Sequence, residues 1–210
     1  MIVKVCGMRD AQNIKDVESL GIGMMGFIFY RRSPRFCEEL PAYLPSRCKR
    51  VGVFVNSNFD EIKAKQQSFQ LHYIQLHGNE TPAFANHLRE ALNVKVIKAF
   101  SITSPFPADL IESYEGACDL FLFDTPTTSF GGSGRTFDHA LLTDYRGNTP
   151  FLLSGGIDLS NASEFTGPIH PLCIGVDLNS RFEAAPGLKD VALLRQFLNT
   201  IRIKDSISQL

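Results

Sequence analysis

Short runs rich in β-branched and aromatic residues recur along this chain at nearly constant spacing, and each is followed by a segment able to form a helix. The runs are Ile2–Cys6, Met25–Phe29, Arg50–Val55, His72–Leu76, Lys95–Ala99, Leu120–Asp124, Phe151–Ser154 and Cys173–Asp177. Helical segments are expected at Ala11–Leu20, Asp60–Gln67, Pro82–Leu92, Ala108–Tyr114, Ala140–Tyr145 and Asn161–Thr166, and in an amphipathic final helix at Val191–Ile203. Cys37–Ser46 is a weak helix at best, because Pro41 and Pro45 interrupt it. Eight units of about 22 to 31 residues match the α/β rhythm of a (β/α)8 TIM barrel near its minimum length. A doubly wound sheet usually has fewer strands and needs a topological switch point. With no linker or shift in composition, residues 1–203 read as one barrel domain and 204–210 as a fraying tail.

Side-chain parity gives this frame a direction. Val3 and Val5 share one face of their strand, with Lys4 and Cys6 on the other. Phe121 and Phe123 oppose Leu122 and Asp124, and Ile174 and Val176 oppose Gly175 and Asp177. If the bulky members pack against helices, the others face the barrel interior. Cys6, Asp124 and Asp177 then converge at the C-terminal mouth, where active sites of this fold lie.

An apolar-flanked cysteine is usually a small core residue. Cys6, however, ends a strand, faces inward and precedes Gly7, which leaves room above it. Lys4, on the same face, favours a thiolate; a free thiol titrates near about 8.5, so service as a base requires a downward shift. Asp124 ends Leu120-Phe121-Leu122-Phe123, where desolvation raises a carboxyl pKa and suits it to donate a proton. The competing reading is an ion pair with Lys4 or Lys98. A depressed thiol and a raised carboxyl in one pocket make a base and an acid.

Glycine turns mark the ligand side of the mouth. Gly131–Asp138, after the sixth strand, is expected to be a loop able to bring backbone N–H groups close to a ligand. Ser154-Gly155-Gly156-Ile157 follows the seventh, with Asp158 and Asn161 at the start of the next helix. Asp177-Leu178-Asn179-Ser180-Arg181 and Pro186–Asp190 follow the eighth. Loops after strands seven and eight commonly bind phosphate through backbone N–H groups. Arg35, after strand two, is placed for a forked contact with a carboxylate. His77, at the end of strand four, either orients substrate or completes the rim.

Composition excludes several partners. Net charge is −1 with 20% charged residues, so nothing suggests nucleic acid, and no apolar run is long enough for a membrane span. The N-terminus lacks a signal-peptide pattern. Five irregularly spaced cysteines without C-x-x-C fit a reducing cytoplasm rather than a disulfide framework or zinc site. No convincing metal-ligand set and no nucleotide-binding glycine motif appear, so chemistry without metal or cofactor is expected.

Lys4-Val5-Cys6-Gly7, Gly26-Phe27-Ile28-Phe29 with Ser33-Pro34-Arg35, Val51-Gly52-Val53-Phe54, Gln75–Glu80, Phe123-Asp124 with Gly131–Asp138, Leu153-Ser154-Gly155-Gly156, and Gly175-Val176-Asp177 with Glu183 and Pro186–Asp190 together resemble the phosphoribosylanthranilate isomerase family of tryptophan biosynthesis. The resemblance runs in order along essentially the whole chain. It implies a cofactor-independent barrel isomerase that binds a small phosphosugar, as a monomer or homodimer, and carries out an Amadori rearrangement. Asp124 would be the general acid and Cys6 the general base. Arg35 would hold the anthranilate carboxylate, and the backbones of Gly155, Gly156, Asn179 and Ser180 the phosphate; His77 and Asp177 would face the substrate. Where the family usually reads Ser-Ser-Gly, this chain has Asn179-Ser180-Arg181, so either the loop keeps φ negative there or its phosphate contact is rebuilt. His139 stands where the family commonly has Trp. The competing readings are a metal-dependent ribulose-phosphate epimerase, an indole-glycerol-phosphate synthase and a catalytically silent binding barrel.

Overall fold

A computed structural model describes residues 1–124 and 139–202. Eight parallel strands close in chain order, with the last pairing back to the first. They are β1 (Ile2–Val5), β2 (Met24–Ile28), β3 (Lys49–Phe54), β4 (Tyr73–Leu76), β5 (Lys95–Ser101), β6 (Leu120–Asp124), β7 (Phe151–Ser154) and β8 (Cys173–Leu178). The chain therefore folds as the (β/α)8 barrel that its rhythm predicts, with strand ends within two residues of expectation. The loop at Gly131–Asp138, residue Ile203 and the tail at 204–210 lie outside the described residues.

Local sequence explains the helix starts. At α1 (Ala11–Glu18) the Asp10 carboxylate accepts from the Asn13 N–H at 2.7 Å. At α2 (Phe59–Phe69) Asn58 and Glu61 form a reciprocal capping box. At α3 (Pro82–Leu92) Thr81 caps and Pro82 takes the first turn, where its missing N–H is not needed. The chain continues through α4 (Ala108–Glu112) and α5 (Val191–Arg202).

Three expected helices are corrected. No helix forms at Cys37–Ser46: residues 31–48 run irregularly across the flank. The segment is held instead by Glu18, which accepts from the N–H groups of Ser46 and Arg47 at 2.6 and 2.5 Å and from the Tyr43 hydroxyl. Ala140–Tyr145 and Asn161–Thr166 are 3-10 turns, at His139–Asp144 and Ala162–Thr166. Each is too short to repay α-helix nucleation and is anchored by buried apolar groups, Leu142 and Tyr145 in one and Phe165 in the other.

The barrel interior is a small apolar plug of Met24, Val51, Ile97, Ala99, Leu120, Leu122 and Leu152. The larger core lies outside the strands, where Phe27, Phe29 and Phe69 pack together and Phe123 stacks within 4.5 Å of Phe151. Each such ring, fully buried, contributes about 2–3 kcal/mol. Parity holds in β1 and β6, with Val3, Val5, Phe121 and Phe123 in the outer layer. It fails in β8. Cys173 pairs with Phe151 but Gly175 with Leu152, so Ile174 is an extra residue that turns inward while Val176 packs outward. This bulge resets the alternation and still leaves Asp177 facing the mouth.

Candidate active site at the barrel mouth

Strand direction delivers the chemistry to one end. β1 carries Lys4 and then Cys6 inward, β6 ends at Asp124, β7 at Ser154, and β8 brings Asp177 opposite Lys4. All nine predicted site residues line a single cavity of about 410 Å³: Cys6, Arg35, His77, Asp124, Gly155, Gly156, Asp177, Asn179 and Ser180. The volume suits a ligand of drug-like size.

At the cavity floor the Lys4 ammonium donates to Asp177 Oδ2 at 2.6 Å, with both side chains sealed from solvent. Burial works against the Lys4 charge, but Asp177 and Cys6 outweigh it and hold the amine above its ordinary pKa. The ion that the sequence allowed to compete for Asp124 is thus committed to Asp177. Lys98, the other candidate, instead donates to the Leu76 and Gly78 carbonyls and to Glu80. Asp177 Oδ1 has no protein partner among the described residues.

Cys6 sits above Lys4. Its thiol fills the space over Gly26, where any Cβ would lie 2.7 Å from the sulfur. The expected downward pKa shift is corrected: burial dominates and pushes the thiol up, with Asp177 adding to the rise and Lys4 and Lys189 opposing it. Cys6 opens onto the cavity, while the space beside Gly7 is filled. Gly7 has φ +81°, and a Cβ there would meet Arg35 Cδ at 2.8 Å and Asn179 Oδ1 at 3.0 Å.

Asp124 behaves as its sequence suggested. Burial raises its pKa, opposed by a hydrogen bond from Ser154 and by the Lys4 charge. Across from it, His77 Nε2 stands 3.9 Å from Asp124 Oδ2, beyond hydrogen-bond reach. Burial, with the nearby Lys4 charge, lowers the His77 pKa and favours the neutral ring. Gln75 Nε2 lies 3.0 Å from His77 Nδ1, so the Gln75 amide holds the ring in place beside Asp124.

The remaining wall is backbone and cations. Gly155 and Gly156 adopt φ +88° and +65°, a conformation that side chains disfavour. Asn161 pins their turn, its amide donating to the Gly156 carbonyl at 2.9 Å and its oxygen accepting from the Asp158 N–H at 3.0 Å. Asn179 and Ser180 follow β8. Arg181 stays out of the left-handed region and lines the cavity with an exposed side chain, which answers how the loop tolerates it. Beyond it β9 (Glu183–Ala185) pairs antiparallel with β10 (Leu188–Lys189) in a two-stranded hairpin. Glu183 accepts from Arg35 and Lys189 there.

Sequence reading assigned no role in the site to Gln75, Ser154, Glu183 or Lys189, and gave Asn161 only a helix start. Gln75 and Ser154 carry a usable signal, since parity places each on the inward face of its strand. The pairing of Glu183 with Arg35 carries none, because 148 residues separate them. Among the described residues no group of three or more His, Cys, Asp or Glu is placed to hold a metal, and no helix is long and apolar enough to cross a membrane.

Residues 3–200 match the family model described as N-(5'phosphoribosyl)anthranilate (PRA) isomerase. An N-(5'-phosphoribosyl)anthranilate isomerase from Phocaeicola vulgatus is 48% identical over 97% of this chain and 99% of its own length. That from Parabacteroides distasonis is 46% identical over 96% and 93%. Among solved structures, the phosphoribosyl anthranilate isomerase of Thermus thermophilus superposes with a TM-score of 0.76 at 28% identity, covering 96% of this chain and 98% of its own. Another such isomerase, in complex with reduced 1-(o-carboxyphenylamino)-1-deoxyribulose 5-phosphate, gives 0.75 at 27% identity over 96% and 99%.

Proposed function

The chain belongs to the N-(5'-phosphoribosyl)anthranilate isomerase family, and from that premise we propose how its mouth performs the reaction. The protein is an isomerase of tryptophan biosynthesis, converting N-(5-phosphoribosyl)anthranilate to 1-(o-carboxyphenylamino)-1-deoxyribulose 5-phosphate. Asp124, whose pKa burial raises, gives its proton to the furanose ring oxygen. The C1′–O bond breaks and a protonated Schiff base forms between C1′ and the anthranilate nitrogen. The Cys6 thiolate then takes the proton from C2′, and the electron pair moves to neutralise the iminium as an enolamine. The C2′ hydroxyl returns a proton to the Asp124 carboxylate while C1′ accepts one from the Cys6 thiol. The ketone leaves with both side chains restored, so C1′ is reduced and C2′ oxidised within one molecule, with no cofactor.

A thiol pushed up by burial looks like a poor base, and the order of steps resolves this. Ring opening places a positive charge on the substrate nitrogen beside Cys6, and Lys4 lies beneath it. The competent enzyme enters the cycle with Cys6 already ionised, its proton given to solvent before substrate binds; Lys4 beneath the sulfur and the iminium formed beside it stabilise that thiolate. Arg35 holds the anthranilate carboxylate, and the turns at Gly155–Gly156 and Asn179–Ser180 hold the phosphate. Asp177 Oδ1 accepts from a substrate hydroxyl, and the His77 ring orients the sugar near Asp124. Five free thiols suit a reducing compartment, which supports the cytoplasm as its place of work.

The observation that carries this reading is the meeting of Cys6 and Asp124 in one cavity with the carboxyl pKa raised. The test is the disappearance of freshly made phosphoribosylanthranilate fluorescence, with and without chelator. Turnover indifferent to chelator supports it. Near-normal turnover by Cys6→Ala or Asp124→Ala removes the role of that residue.

A further inference from the structure

Glu183 is bound more fully than a rim carboxylate needs to be. Its side chain is almost sealed from solvent. Its oxygens accept from Arg35 Nε at 2.9 and 3.0 Å, Arg35 Nη2 at 2.7 Å, Lys189 Nζ at 2.5 Å and the Gly187 N–H at 3.1 Å. Burial opposes its charge, but the Arg35 and Lys189 contacts outweigh this and keep its pKa below the usual carboxylate range.

The approach to Arg35 is side-on, through Nε and one N–H of Nη2. A guanidinium has five N–H donors in a flat fork. The end-on edge therefore remains: one N–H of Nη1 and the second of Nη2, neither of which bonds to a described residue. The stem of Arg35 packs over Gly7, its Cδ 2.8 Å from where a Cβ there would lie. Arg35 and Lys189 against Glu183 leave one net positive charge at this corner of the cavity.

We propose that Glu183 is a positioning residue for carboxylate recognition: it grips Arg35 by one edge so that the other meets the aromatic carboxylate of the substrate. The inference rests on the assignment of Arg35 to that carboxylate. A carboxylate that merely stood in for substrate would occupy the end-on edge; Glu183 occupies the side.

The experiment compares phosphoribosylanthranilate with N-(5-phosphoribosyl)aniline, which has no carboxylate. Glu183→Gln is expected to raise KM for the first about tenfold, with kcat within about threefold, and to leave KM for the second unchanged. In an Arg35→Gln background, Glu183→Gln is expected to add nothing. Glu183→Asp, which keeps the charge but is one methylene shorter, is expected to fall between, and carries the test if the glutamine variant does not fold. An unchanged or lowered KM, or a rise equal for both compounds, overturns the proposal. If Arg35→Gln itself affects both compounds equally, the assignment of Arg35 fails and this inference with it. If Arg35→Gln discriminates and Glu183→Gln does not, only the inference about Glu183 falls.

Discussion

Glu18 on the flank and Asp177 in the mouth are carboxylates nearly sealed from water. Glu18 has both oxygens filled, by two backbone N–H groups and the Tyr43 hydroxyl, and it ties down a segment that could not become a helix. Burial alone would raise its pKa, yet those bonds, with the nearby Arg47 charge, bring it below the ordinary value. Asp177 has one oxygen on Lys4 and the other on no described residue, and its neighbour Asp124 is pushed up by burial. The flank satisfies its acid; the floor of the mouth leaves one oxygen of Asp177 without a described partner. A saturated carboxylate stabilises the fold, whereas an unsaturated one holds free energy that a substrate can use.

Substitutions can break this contrast. The largest effect is expected in the mouth: Asp124→Asn and Cys6→Ala should each lower kcat by about 10²–10⁴-fold, read by the fluorescence assay. Their thermal midpoints should stay close to that of the parent. Because the folded-state pKa of Asp124 is raised, its ionised form costs stability above that pKa. Asp124→Asn should therefore be as stable as the parent at pH 7, or more so. A marked loss of stability would place Asp124 with Glu18 instead.

On the flank the balance reverses. Glu18→Gln should cost about 2–3 kcal/mol in denaturant unfolding, by leaving buried donors poorly matched, while kcat is preserved. The pH dependence follows from the depressed pKa. The Glu18 contribution is fully present above its unfolded value of 4.5 and is lost as pH falls through the lower folded value. Acid unfolding of the parent should thus be steeper below that point than that of Glu18→Gln. Superimposable acid transitions would remove Glu18 from the comparison.

The smallest effect concerns Arg181. Exposed at the cavity edge, it should assist the phosphate only through a solvent-screened charge. Arg181→Gly should raise KM about two- to fivefold at low ionic strength and less in salt. An unchanged KM at low salt removes Arg181 from phosphate binding.

How much of this was legible in the chain depends on the range of the forces involved. Cys6, Asp124 and the Gly155–Gly156 turn could be placed because each ends a strand, and in a parallel barrel every strand ends at the same mouth. The bulge at Ile174 could not, since it arises from the register between β7 and β8. The flank segment was readable as a poor helix from Pro41 and Pro45, but nothing local named Glu18 as what replaces one. Glu183 stood within a motif, yet its grip on Arg35 exists only after the hairpin forms.

The barrel, its direction and the side chains that gather at its mouth follow from the amino-acid order, because side-chain period and strand polarity are written within a few consecutive residues. Tertiary structure alone decided which charges pair and which way each acid shifts. Lys4 and Asp177 meet across 173 residues of chain. Whether burial or a neighbouring cation wins at Cys6 depends on how completely the closed barrel excludes water, a property of the packed molecule that no short stretch of it contains.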